Sequence, residues 1–145
     1  MTLRSFVIDD CKTISQYQYP GMPEEDIRKM VGQWNENQFD NRYFAQFAID
    51  IDGQIVGYVS LFEQPDGTIS EGVEIYPPFR RQGFASKALT LLIQRAKGLG
   101  YTTMVAQIRQ DNIPSLALHK KLGFAITDQF TNKRGKPVYS LSLAL

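Results

Sequence analysis

The sequence predicts a mixed α/β fold, a twisted and mostly antiparallel sheet of about six to seven strands with about four helices on its faces. Three observations carry this. The turn signals Asp52-Gly53 and Pro65-Asp66-Gly67 separate apolar segments of period two, a strand-helix-strand-helix run follows them, and a last hairpin closes the chain.

Taken in order, Thr2 to Phe6 reads as a short strand, and Asp9 or Asp10 offers a side-chain oxygen to cap a helix over residues 10 to 16. The segment Tyr17 to Pro23 interrupts it, because Pro20 and Pro23 lack donors and restrict the residues before them. Its tyrosines suit a pocket wall or a plain connector. Glu24 to Asn37 is next a helix, with Pro23 at its start, acidic residues at the positive end of its dipole, and Ile27, Met30, Val31 and Trp34 on one buried face. From Tyr43 the period changes to two, giving strands Phe44 to Ile51, Gln54 to Phe62 and Thr68 to Tyr76, the last stopped by Pro77-Pro78. Gly83 to Lys97 carries Ala85, Ala88, Leu89, Leu92, Ile93 and Ala96 at the three-and-four spacing of a buried helix face, and Gly98 and Gly100 stop it. Thr103 to Ile108 is a strand, Asn112 opens a helix to Leu122 that Gly123 caps, and Ala125 to Phe130 with Pro137 to Leu143 form the closing hairpin around Arg134-Gly135.

At 145 residues, 43% apolar and 12% aromatic, the chain is expected to form one domain with its own core. Sixteen basic residues against 15 acidic ones, a net charge of +1, provide no field that would draw it onto nucleic acid or membrane. A lone Cys11 and a single histidine exclude an internal disulfide, a multi-Cys zinc cage and a His-rich metal site, so metal-free chemistry is expected. No stretch has the apolar length of a membrane span, and the first residues lack the apolar run of a signal peptide, so a cytoplasmic setting is expected.

The strand ending before Arg80 and the strand from Thr103 should lie parallel, and the crevice where they diverge would gather Ile75, Gly83 and Ile108 to Asn112 around one opening. At its edge, Arg80-Arg81-Gln82-Gly83-Phe84-Ala85 lies between a strand end and a helix start. Free N–H groups of a first helical turn, a positive dipole end, a glycine that lets backbone come close and two arginines make this an anion cradle suited to a pyrophosphate. Without context, the same residues are also a glycine at a helix start with solvated arginines.

Val73-Glu74-Ile75-Tyr76-Pro77-Pro78-Phe79-Arg80-Arg81-Gln82-Gly83-Phe84-Ala85 resembles the acetyl-CoA signature of the GNAT N-acetyltransferases, in which Arg or Gln, two residues, Gly, one residue and Gly or Ala follow a strand. Arg80, Gly83 and Ala85 match it in register. Asn112-Ile113-Pro114-Ser115-Leu116-Ala117-Leu118-His119-Lys120-Lys121-Leu122-Gly123-Phe124 resembles the family's second cofactor-side helix with its Gly-Phe. The resemblance covers residues 44 to 143 and implies a GNAT fold and transfer of acetyl from acetyl-CoA, without metal, to a primary amine on a small molecule or peptide. A homodimer is common in that family. Carried over residue by residue, it implies that Val73 and Ile75 bind the pantetheine arm, with Ile75 also near the thioester carbonyl. Arg80, Arg81, Gln82, Gly83, Phe84, Ala85 and Ser86 would hold the pyrophosphate, and Asn112 and Ser115 would contact pantetheine.

Independently, Asn112, Ser115 and His119 are spaced i, i+3 and i+7, which puts three polar groups on one helix face while Leu118 and Leu122 share another. His119 stands where the family often has a tyrosine acid for the departing thiolate. A histidine can donate that proton, and the alternative is a helix histidine beside Lys120 and Lys121. An amine arrives mostly protonated at neutral pH, so a base is wanted, and Glu74 beside Ile75 is the candidate. Strand alternation puts Glu71 and Glu74 on opposite faces, so in a regular strand at most one meets the substrate; Tyr76 and Glu63 are further candidates. The expected reaction is direct attack on the thioester, with the oxyanion on a backbone N–H near Ile75 and no acyl-enzyme on Cys11. A Rossmann or P-loop nucleotide site is excluded, since Gly98-Leu99-Gly100 follows a helix and lacks the third glycine. A CoA-binding sensor without catalysis is the alternative on the same fold.

Overall fold

The computed structural model describes residues 1–145. An eight-stranded sheet runs through the molecule: β1 (Thr2–Ser5), β2 (Gln38–Phe39), β3 (Arg42–Ile51), β4 (Gln54–Glu63), β5 (Ile69–Ile75), β6 (Thr103–Arg109), β7 (Ala125–Thr131) and β8 (Pro137–Ala144). The spatial order is β1-β3-β4-β5-β6-β8-β7, with β2 paired to β3, and every pairing is antiparallel except β5 with β6. Four α-helices, α1 (Cys11–Tyr17), α2 (Glu24–Trp34), α3 (Phe84–Gly98) and α4 (Ile113–Lys121), cover it. The mixed, mostly antiparallel sheet with four helices is the expected fold. No helix is long and apolar enough to cross a membrane.

Strand alternation divides the apolar side chains between two cores. On one face Ala45, Val59, Leu61 and Ile69 pack with Ala88, Leu89, Leu92 and Ala96 of α3 and with Leu116 of α4. On the other, Ala48, Ile55 and Tyr76 pack with Ile14 of α1 and with Ile27, Val31 and Trp34 of α2. Trp34 is therefore core, its ring tilted against Phe6 at 5.2 Å.

Two expectations near the amino end are corrected. Asp10 does not cap α1; its carboxylate accepts from the Val7 N–H at 2.8 Å and from the Arg4 guanidinium at 2.9 and 3.1 Å, closing the 3-10 turn before the helix. The helix expected to Asn37 stops at Trp34. Asn35 turns its amide to the Phe6 carbonyl at 2.9 Å, and positive φ at Asn37 leads into β2, a strand too short to show a period, while positive φ at Asp40 and Asn41 turns the chain on into β3.

What positions the site is the single parallel pairing. β5 and β6 match only at Ile69 with Met104 and Ser70 with Val105, and then part. β5 stays with β4 as far as Ile75, while β6 follows β8 to Arg109. A crevice therefore opens at the carboxyl ends of both strands, as the sequence predicts.

Candidate active site

Beyond β5, Pro77–Phe79 form a 3-10 turn, Arg80 is extended, and Arg81 and Gly83 take positive φ of 64° and 78° to swing the chain into α3. No side chain caps α3, and the first intrahelical bond of its opening turn runs from the Lys87 N–H to the Gly83 carbonyl. The N–H groups before Lys87 thus point out of the positive end of the helix dipole, and no atom lies within 4 Å of where a Gly83 Cβ would stand. This is an open anion cradle. Arg80 is folded back: its Nε donates to the Ile75 carbonyl at 2.8 Å and Nη2 pairs with Glu74 Oε1 at 2.7 Å, both side chains half exposed.

Backbone direction decides what the crevice wall offers. The Tyr76 N–H donates across to Val56 at 2.8 Å, so alternation turns the N–H and C=O groups of Val73 and Ile75 the other way, into the gap that β6 vacates. Gly57 permits this path. A Cβ there would meet the Glu74 carbonyl oxygen at 2.1 Å and the Ile75 Cα at 2.9 Å, so β4 carries no side chain where β5 crosses it most closely.

The crevice has two continuous parts. An outer cleft of about 640 Å³ is lined by Val73, Ile75, Arg80, Arg81, Gly83, Phe84, Ala85, Ser86, Asn112 and Ser115, together with Glu74, Phe79, Pro114 and Leu118. An inner hollow of about 330 Å³ shares Val73, Asn112 and Ser115 with it and adds Glu71, Gly72, His119 and the Ala106 to Arg109 stretch of β6. Of the residues singled out for the donor side, only Gln82 does not line the cleft. A separate hollow of about 550 Å³ between Trp34, Phe39, Phe44 and Phe62 lies at the far end of β4, apart from these groups. The crevice, and not this hollow, holds the titratable pair and the helix terminus.

Across the cleft, Asn112 caps α4, its side chain accepting from the Ser115 N–H at 3.3 Å. Asn112 and Ser115 share the cleft-facing side. His119, one turn on, turns inward and is 2% exposed. Its Nδ1–H donates to the Ser115 carbonyl at 2.8 Å, Nε2 meets the carboxylate of Glu71, and the ring lies edge-on to Phe124 at 5.0 Å. Burial pulls this imidazole down, but the hydrogen bond and charge of Glu71, with the Ser115 carbonyl, outweigh it and leave it above its ordinary value. Both ring nitrogens thus face oxygen atoms, and the raised value favours the protonated ring.

Glu71 and Glu74 do lie on opposite faces. Glu74 stands across from Tyr58, on the side of the α1–α2 core, and reaches the cleft edge. The other two base candidates are elsewhere. Glu63 accepts from the Tyr101 hydroxyl at 2.7 Å, opposite the start of β5 rather than its end. Tyr76 is 1% exposed, its hydroxyl donating to Gln18 and its ring stacked on Tyr17 at 4.6 Å, and burial pushes its phenol well above the usual range. It ties α1 to the sheet. Cys11 is buried, and desolvation raises its thiol, which suits packing and not attack. Sequence reasoning missed the partnership of Glu71 with His119 and the close approach at Gly57, whose only signal was a lone glycine inside a strand.

Residues 11–124 match the acetyltransferase (GNAT) family. The chain belongs to this family. Among GNAT relatives it is similar to an L-methionine sulfoximine/L-methionine sulfone acetyltransferase of Pseudomonas aeruginosa, 34% identical over 66% of the chain and 59% of that protein. The corresponding Salmonella typhimurium protein is 35% identical over 89% of the chain and 82% of its own length. The L-amino acid N-acyltransferase MnaT of Escherichia coli is 33% identical over 63% of the chain and 58% of that enzyme. The chain thus spans about three fifths of the length of the first of these relatives. A Salmonella typhimurium acetyltransferase, yncA, solved with acetyl-CoA superposes with a TM-score of 0.76 at 22% identity, covering all of this chain and 94% of that one. RimL, a ribosomal L7/L12 alpha-N-protein acetyltransferase solved with coenzyme A, does so at 0.83 and 18%, covering 99% and 93%. Both share the GNAT fold.

Proposed function

We propose that the chain is one N-acetyltransferase domain that transfers the acetyl group of acetyl-CoA directly to a primary amine. The observation that carries this is the crevice itself, with an uncapped helix terminus at its mouth and, along its wall, backbone of Val73 and Ile75 that no strand of the sheet pairs. The residues present fit the cosubstrate: an open Gly83, outward N–H groups and flanking arginines match a pyrophosphate, and a narrow gap edged by peptide groups matches an amide-bearing arm. Arg80 to Ser86 would hold the pyrophosphate, Val73 and Ile75 the arm, and Asn112 and Ser115 its other side. When bound, acetyl-CoA supplies an activated acyl group on a thiolate leaving group.

Glu74 removes the proton from the incoming ammonium at the cleft edge, on the α1–α2 side. A backbone N–H of the Val73–Ile75 stretch holds the oxyanion, fixed in direction by the β4 ladder. His119 is the proton source for the departing thiolate. Relatives at 33 to 35% identity acylate L-methionine sulfoximine, L-methionine sulfone or L-amino acids, which makes free amino acids the first acceptor class to try. A cytoplasmic setting and a homodimer complete the proposal, to be checked by cell fractionation and sedimentation.

Titration with acetyl-CoA and with CoA tests the assignment: low-micromolar binding is expected, and Gly83→Glu, which sets a carboxylate in the cradle, should weaken it at least a hundredfold. Absence of binding by the native protein overturns it, and binding without turnover of any amine identifies a sensor. Separately, Glu74→Gln should lower kcat about a hundredfold with acetyl-CoA affinity unchanged. Wild-type turnover in that variant removes Glu74 from the mechanism.

A further inference from the structure

We infer that the Ser115 hydroxyl relays the proton from His119 to the departing thiolate, a step that rests on the acetyl transfer proposed above. The need for a relay is geometric. His119 is 2% exposed, its Nε2 is taken by Glu71 and its Nδ1 by the Ser115 carbonyl, and the ring borders the inner hollow without lining the outer cleft. A sulfur in the outer cleft has no direct line to either nitrogen.

Ser115 bridges the two. Its Oγ lies 3.4 Å from Nδ1, the same nitrogen that bonds its carbonyl, and the residue lines both parts of the crevice. A shift of a few tenths of an ångström moves the shared Nδ1–H from carbonyl to hydroxyl, and catalytic hydrogen bonds that are long in a free enzyme commonly tighten in the complex. The Asn112 cap on the Ser115 N–H fixes the residue's backbone, so only its side chain has to move. No competing hydroxyl is placed for this, since Tyr76 is tied to Gln18 on the opposite face and Ser86 sits in the first turn of α3.

The protons and electrons balance. As the carbon–sulfur bond breaks, its electron pair stays on sulfur, sulfur takes the Ser115 hydroxyl proton, and Ser115 Oγ takes the Nδ1 proton. His119 is left neutral with Nε2–H on Glu71. The proton removed by Glu74 leaves to solvent, and Nδ1 is recharged from solvent.

The test compares wild type with Ser115→Ala and Ser115→Thr in steady-state acetyl transfer, with CoA affinity measured alongside by titration. The expected result is a kcat about tenfold to a hundredfold lower in Ser115→Ala, over and above any loss of CoA affinity, and recovery in Ser115→Thr, which keeps the hydroxyl. Adding His119→Gln to Ser115→Ala should cost little more, because both act on one proton. Wild-type kcat in Ser115→Ala overturns the relay, and so does a loss confined to CoA affinity, which would make Ser115 a pantetheine contact alone. Should the wild-type protein turn over no amine at all, the acetyl-transfer reading fails first and the relay with it.

Discussion

Replacing His119 with alanine is expected to destabilise the protein by about 3–5 kcal/mol, because it leaves the Glu71 carboxylate buried without a partner. Both side chains are almost wholly removed from solvent, so water cannot make good the loss. For a chain of this size the melting temperature should fall by roughly 10 °C. The sign of the pH dependence follows from the raised imidazole. A group whose folded value lies above its unfolded one, near 6.5, contributes its full stabilisation below that pH and loses it as pH rises through the folded value. The His119 contribution to wild-type stability should therefore be full below about pH 6.5 and be lost in more alkaline buffer, a dependence that His119→Ala lacks, as read from chemical denaturation at several pH values. Glu71→Leu combined with His119→Leu should recover most of the stability, since an apolar pair of similar volume replaces the ion pair at little net cost, while turnover stays impaired. A single His119→Ala variant as stable as wild type would show that the pair is not a structural tie between β5 and α4.

Gly57→Ala should be nearly as damaging by another route. The new methyl would sit 2.1 Å from the Glu74 carbonyl oxygen and 2.9 Å from the Ile75 Cα, both backbone atoms that cannot rotate away. β5 must then shift by about 1 Å, at a cost of about 1–3 kcal/mol. Glu74 and the wall formed by Ile75 move with it, and a displacement of that size in positioning groups costs about a hundredfold in rate. Thermal melting and steady-state kinetics on the same preparation check both effects. Near-native kcat in Gly57→Ala would mean that the crossing of the two strands does not set the geometry of the crevice.

How much of this was legible in the chain depended on the range of the interaction. The cradle was legible because Arg80 to Ser86 is a local feature, a short turn followed at once by an uncapped helix. So was the Asn112 cap, since it needs only the N–H three residues on. The alternation of Glu71 and Glu74 could be foreseen from the period of a strand, but not which face would be buried. That was settled by His119, 48 positions away in sequence, and no periodicity reports so distant a partner. Tyr76 shows the same limit. Beside Ile75 in sequence it passes for a site residue, yet Gln18, 58 positions off, takes its hydroxyl into the α1 packing. Arg80 has the charge for a phosphate, while its fold-back onto Glu74 and the Ile75 carbonyl requires the strand to be built first.

The parting of β5 from β6 after two residue pairs has a consequence for how such a protein can change over time. What lines that seam is main chain, and every amino acid but proline supplies the same amide and carbonyl, so almost no point substitution along β5 deletes them. A change in the course of the strand does. Donor recognition is thereby insulated from drift, while the side chains that project toward α1 and α2 are free to vary, and a new acceptor can be acquired without rebuilding the part that carries the acyl group.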